Sequence, residues 1–180
     1  MKKRFIIFLT LLFVSAGAFC QSFALILSQN DEVSLKVRDT TSRMESAIMD
    51  AFFDQGFIIS NEPIVTTNGD KDLYTARLSD AVQSNVAYIV SVELVYKSNQ
   101  KQSGFSPAED ISLNWELMDA SFVTNSVKGS VDSQTFAQIF ASRDANKAMK
   151  NFSHRLVAEI TDNLKNLSGA GSQKFLGLQR

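Results

Sequence analysis

The chain has 180 residues, 44% of them hydrophobic and 21% charged, with a formal net charge of −1. These are the proportions of an ordinary folded protein, not of a disordered chain or an integral membrane protein. One His and one Cys rule out most Cys/His metal centres and any disulfide within the chain, and no cofactor or metal is expected.

The first residues read as an address. Lys2, Lys3 and Arg4 form a basic start, residues 5–14 (FIIFLTLLFV) are an apolar run, and Ala16 and Ala18 stand at the positions of an A-x-A cleavage site. This is the layout of a bacterial secretory signal, with an apolar run too short for a comfortable membrane span. The expectation is a signal peptide over 1–18, export to the periplasm, and membrane contact only through that peptide or a lipid anchor. Loss of its three basic residues takes the net charge from −1 to −4, and a mildly acidic surface argues against nucleic acid as a partner. Cys20 leaves two readings open. It is either the lipidated first residue of a lipoprotein, anchored at the outer membrane, or a residue at the edge of the signal with no role. The bulky Phe19 before it fits the second reading better.

Residues 23–27 (FALIL) predict a first strand, and Val33 to Val37 alternate as a second short strand or an extension. From Asp39 to Gln55, Met44, Ala47, Ile48, Ala51 and Phe52 keep helical spacing. Ser42 and Glu45 have capping-box spacing, and Gly56 supplies the stop. Residues 57–60 (FIIS) predict a buried strand ended by Pro63. A second helix follows from Asp72 to about Ser84, marked by Tyr74, Leu78, Ala81 and Val82.

The stretch from Val86 to Phe136 carries the strongest strand pattern. Val90, Val92, Leu94 and Tyr96 alternate with Ser91 and Glu93, and Ile111, Leu113, Trp115 and Leu117 alternate with Ser112, Asn114 and Glu116. That period of two predicts a sheet with one apolar and one polar face. The polar face would carry Ser91, Glu93, Ser112, Asn114 and Glu116, with Lys128 and Asp132 as further candidates. Residues 98–110 predict a long polar loop with Phe105 exposed on it, and Thr124 and Asn125 a tighter hairpin turn. The last helix is expected from about Ser142 to Leu167, followed by a flexible tail over 168–180.

The predicted order is β-α-β-α-β-β-β-α: one α/β (α+β) domain over 19–167, a two-layer sandwich in which a mixed sheet of about five strands carries three helices on one face. This order, with Gly56 to Ser60 after a helix, AYIVSV at Ala87 to Val92, similar to an A-x-Y-x-V strand of the group, and L-M-D-A at Leu117 to Ala120, resembles a group of bacterial periplasmic domains. The group includes the N-terminal domain of the Tol–Pal propeller protein, the curli secretion lipoprotein and the lipoprotein activator of penicillin-binding proteins. The turn glycine of that group is absent from residues 121–126 (SFVTNS) here. The resemblance implies a domain that works by binding other envelope proteins, including outer-membrane or peptidoglycan-associated ones; it brings no catalytic residues with it.

Catalytic vocabulary is sparse. A Ser-His-acid arrangement would need His154, which falls off the apolar stripe of the last helix. Asn68, Asp70 and Asp72 begin like a calcium loop, but Ser79 stands where the closing Glu should be. Glu93 and Glu116 on one sheet face could in principle do acid/base work on a glycan. The expected function is therefore a non-enzymatic, exported protein-binding or adaptor domain, with Glu93, Asn114, Glu116 and Phe105 as candidate binding residues. The alternative is a periplasmic glycan- or small-ligand-binding protein, or a hydrolase, that uses the polar sheet face.

Overall fold

The computed structural model describes residues 21–30, 37–67, 71–97 and 111–167. The signal region with Cys20, residues 33–36 of the strand expected over Val33 to Val37, residues Asn68 and Asp70, the loop with Phe105, and the tail lie outside them; Val37 itself is in no strand.

The elements run β1 (Ser22–Asn30), α1 (Asp39–Asp54), β2 (Ile58–Asn61), β3 (Val65–Thr66), α2 (Lys71–Gln83), β4 (Tyr88–Tyr96), β5 (Ile111–Asp119), β6 (Phe122–Val131), α3 (Ser133–Phe140) and α4 (Ala145–Asp162). The mixed sheet has the order β2-β1-β4-β5-β6, with β3 also pairing β1. β1 is parallel to β2, β3 and β4, whereas β4–β5 and β5–β6 are antiparallel. This is the expected α/β sandwich.

β1 is apolar without alternation because both of its faces are covered. Phe23, Leu25 and Leu27 join the main core with Met44, Ile48 and Phe52 of α1 and Phe152, Leu156 and Ile160 of α4. Ala24 and Ile26 point the other way, to Ala81, Leu78 and Tyr74 of α2. Three helices, α1, α3 and α4, thus cover one face, and α2 takes the opposite one. Chain geometry explains the split. The β1-α1-β2 crossover moves outward from β1, whereas β3-α2-β4 moves back across it. Two crossovers of the same preferred hand travelling in opposite directions must use opposite faces.

The main core is close-packed. Phe23 meets Phe52 at 4.9 Å and Phe57 at 5.3 Å between ring centroids, and Phe136 meets Phe152 at 5.2 Å. Helix α1 ends as its glycine predicts. Gly56 has φ 84°, its amide bonds Phe53 O at 2.9 Å, and the Phe57 amide reaches Phe52 O at 3.1 Å, the paired bonds of a Schellman stop.

Several local expectations are corrected. The helix begins at Asp39 with Arg38 at the N-cap position and no side-chain cap, so Ser42 and Glu45 form no capping box. Thr41 turns inward instead, where its hydroxyl donates to Gln29 Oε1 at 2.7 Å and lies 2.7 Å from the Tyr96 hydroxyl. The β5–β6 turn falls at Ala120 and Ser121, where the Ser121 amide donates to Asp119 Oδ1 at 2.8 Å, and Thr124 and Asn125 lie within β6. The strand expected to reach Phe136 ends at Val131. Asp132 belongs to no sheet face: its carboxylate accepts from the Thr135 amide at 2.9 Å and caps α3. The last helix starts at Ala145, capped by Asp144, and its regular part ends at Asp162.

Candidate functional site: a groove on the polar sheet face

Alternation along β4, β5 and β6 sends Ser91 and Glu93, Asn114 and Glu116, and Lys128 and Ser130 away from the main core. Register then sorts them into two rows across the sheet. One reads Ile26–Ser91–Glu116–Lys128 and the next Ser28–Glu93–Asn114–Ser130. The row before these, Ala24–Ile89–Met118–Ser126, is mostly apolar, and α2 packs on its Ala24, Ile89 and Met118. The helix therefore covers the apolar end of this face together with Ile26 and Ser91, and of the two polar rows Glu93, Asn114, Glu116, Lys128 and Ser130 stay partly or fully exposed among the described residues. Between them lies a groove of about 860 Å³, walled by Tyr74 and Thr75 and floored by both rows, with Asn30 and Thr67 at its far end.

The floor is ordered by pairwise bonds. Asn114 Nδ2 donates to Glu93 Oε2 at 3.1 Å, and Lys128 Nζ pairs with Glu116 Oε2 at 3.2 Å. The Tyr74 hydroxyl donates to Ser91 Oγ at 3.0 Å, tying α2 to the sheet. Burial raises the Tyr74 phenol above its ordinary pKa, and the carboxylates of Glu116 and Glu93 push it the same way.

Trp115 is buried, as its place on the apolar alternation predicts. Its indole lies across the backbone of its cross-strand partner Gly129, where a Cβ would collide with the ring. That pair borders the groove.

The structure brings Glu93, Asn114 and Glu116 together in one groove with Lys128. Glu93 and Glu116 are diagonal neighbours on adjacent strands, and each has its own partner. Sequence reading missed the contributions of Ser28, Asn30, Thr67, Tyr74 and Thr75. His154 is on α4, across the sheet from the groove, with Nε2 3.2 Å from Asp54 Oδ2. Lys150 Nζ reaches the same oxygen at 3.2 Å, and this cluster joins α1 to α4. Lys150 and His154 hold the Asp54 carboxyl below its ordinary pKa. Among the described residues no group of three or more His, Cys, Asp or Glu is placed to hold a metal ion.

A family model described as "Uncharacterised protein" matches residues 22–164. No curated protein matches the sequence at a significant level. Among solved structures, the PelC dodecamer from Paraburkholderia phytofirmans is similar at 14% identity, covering 75% of this chain and 85% of that one, with a TM-score of 0.36. Protein XCC0632 from Xanthomonas campestris, of the DUF330 family, is similar at 16% identity, covering 85% and 87%, with a TM-score of 0.40. A Helicobacter pylori protein described as a neuraminyllactose-binding hemagglutinin homolog is similar at 11% identity, covering 86% and 91%, with a TM-score of 0.37.

Proposed function

The chain belongs to the family described as uncharacterised protein, and from the geometry of its groove we propose that it is a non-enzymatic binding domain of the bacterial cell envelope. In this reading the chain is exported by its N-terminal signal and holds an extended polar segment of a partner envelope protein between α2 and strands β4–β6. The observation that carries it is the withdrawal of α2 from the two polar rows. Among the described residues, Glu93, Asn114, Glu116, Lys128 and Ser130 keep partly or fully exposed donors and acceptors on that sheet face. Glu93, Asn114 and Glu116 are the binding residues in this reading, with Tyr74 as the wall.

The chemistry of the floor favours binding over turnover. Its polar side chains are bonded to one another, and the single histidine is engaged with Asp54 on the other side of the sheet. Site-directed photo-crosslinking tests the proposal. A crosslinker at Ser130 should capture a defined partner in intact envelopes, and Asn114→Trp, which fills the groove, should abolish the capture. A crosslinker at Arg155, on α4, should capture none. Equal capture from both positions, or capture indifferent to the Asn114 substitution, would sink the reading. Mass spectrometry of the mature N-terminus distinguishes a lipid-modified Cys20 from cleavage after Ala18.

A second reading, a small polar ligand such as a glycan, draws on the groove's volume of about 860 Å³, which lies within the range of small-molecule sites. It predicts saturable binding of the free ligand with no partner protein captured.

A further inference from the structure

We infer that the groove recognises a basic side chain of the partner segment, an ammonium or guanidinium received by Glu93. This rests on the partner-binding reading and adds the chemistry of what is bound.

The inference starts from an imbalance. Among the described residues the groove is lined by two carboxylates, Glu93 and Glu116, and by one ammonium, Lys128. Lys128 pairs with Glu116 at 3.2 Å, so the positive charge is already used. The hydrogen-bond partner of Glu93 among the described residues is neutral: the Asn114 amide donates to Oε2 at 3.1 Å. That bond fixes the direction of the carboxylate but does not neutralise it, and the second oxygen keeps its acceptor capacity. A half-buried carboxylate with one neutral donor is an incomplete pair.

The surroundings fit the same guest. Ser28 and Ser130 flank Glu93 and Asn114 in one row, and both line the groove. Ser28 is buried beside Glu93, and the exposed Ser130 hydroxyl beyond Asn114 can accept from a donor group that lies over this row. An anion would meet the opposite conditions, since among the described residues lining the groove the one cation, Lys128, is held by Glu116. The groove crosses the outer strands to β6, the last strand of the sheet, so an extended chain can lie over the polar rows while one basic side chain reaches Glu93.

The test compares a short blocked peptide of alternating serine and lysine with its twin bearing Nε-acetyl-lysine. Binding to the purified protein is read by calorimetry and by the fluorescence of Trp115, the single tryptophan. The lysine peptide should bind at least ~10-fold tighter than the twin, the scale of one charge-assisted hydrogen bond, and the preference should shrink as salt is raised. Glu93→Gln, which keeps the shape and the Asn114 bond, should abolish the preference, and Lys128→Met, which frees Glu116, should enlarge it. Ser130→Lys supplies a competing ammonium without altering Glu93 and should also remove the preference, so a folding defect in one variant leaves the other decisive. Equal affinity for the two peptides, or an unchanged preference in Glu93→Gln, overturns the assignment while position-specific crosslinking at Ser130 keeps the binding reading alive. Failure of both peptides together with unspecific crosslinking overturns both. Spermidine binding as tightly as the lysine peptide overturns the peptide segment as the occupant.

Discussion

The two faces of one sheet are built to opposite rules. Facing α1, α3 and α4, strands β1, β4 and β5 present Leu25, Leu27, Val90, Val92, Leu94, Leu113 and Leu117, all fully buried. Facing α2, the same strands present a short apolar patch and then two polar rows with a groove over them. The contrast teaches where sequence is constrained. A register slip of one residue would carry the whole apolar set into the groove, so the dry face fixes the pairing. The polar rows then inherit an exact alignment that they do little to create. Their residues can serve binding because stability is settled on the other side.

Substitutions can break or sharpen that contrast. The largest effect is expected for Phe52→Ala, which empties a site against Phe23 and Phe57 and should cost about 3–5 kcal/mol in denaturant unfolding. Leu78→Ala, under the half-covered α2, should cost clearly less; equal losses would refute the division into a stabilising and a permissive face. Gly129→Val drives a side chain into the Trp115 indole, and an overpacked contact of this kind costs about 1–3 kcal/mol. It should lower the melting temperature and shift tryptophan fluorescence together. Tyr74→Phe removes the bond to Ser91 and should cost about 1 kcal/mol, with hydrogen exchange rising in α2 and not in α1.

Acid sensitivity gives the smallest signal. The Thr135 amide and hydroxyl hold the Asp132 carboxyl below its ordinary 3.8, and Lys150 and His154 do the same for Asp54. A carboxyl with a lowered folded pKa adds stability above its unfolded value and loses it as pH falls through the folded one. Melting temperature should therefore drop as pH is taken below about 3.8, and the drop should be shallower in Asp132→Asn and in Asp54→Asn.

The parts of the fold that were legible are those written by period. β4 and β5 alternate cleanly, and the α1 stripe of Met44, Ile48, Ala51 and Phe52 is buried as its spacing requires. The failures have physical causes. The β5–β6 turn uses Ala120 and Ser121, which carry none of the glycine or asparagine that announces a hairpin. Helix α3 was hidden because Ser130, Val131 and Asp132 continue the alternation of β6, although Asp132 three residues before Thr135 is itself a start signal. Ser42 and Glu45 form no capping box because the helix already begins at Asp39, so the Ser42 amide bonds Arg38 O at 3.1 Å inside the first turn. Of the groove, Glu93, Asn114 and Glu116 could be read from alternation within their strands. Ser28 joined them through a parallel register between β1 and β4, and Tyr74 through the hand of a crossover, neither of which is visible in a local window.

The way β1 is flanked has a consequence for assembly. Its outer side is shared by β2 and β3, two short strands separated by residues 62–64 with Pro63 between them. A broken border of this kind offers no continuous ladder for another chain to extend. The opposite border is β6, ten residues without interruption, with Lys128 exposed on it. A sheet that can lengthen in only one direction polymerises poorly, because two molecules joined through their open borders leave only closed ones outward. Among the described residues, β6 is thus the border along which a further strand could be added, and there the Lys128 charge and the bond from Asn125 to Leu167 O at 3.0 Å work against it.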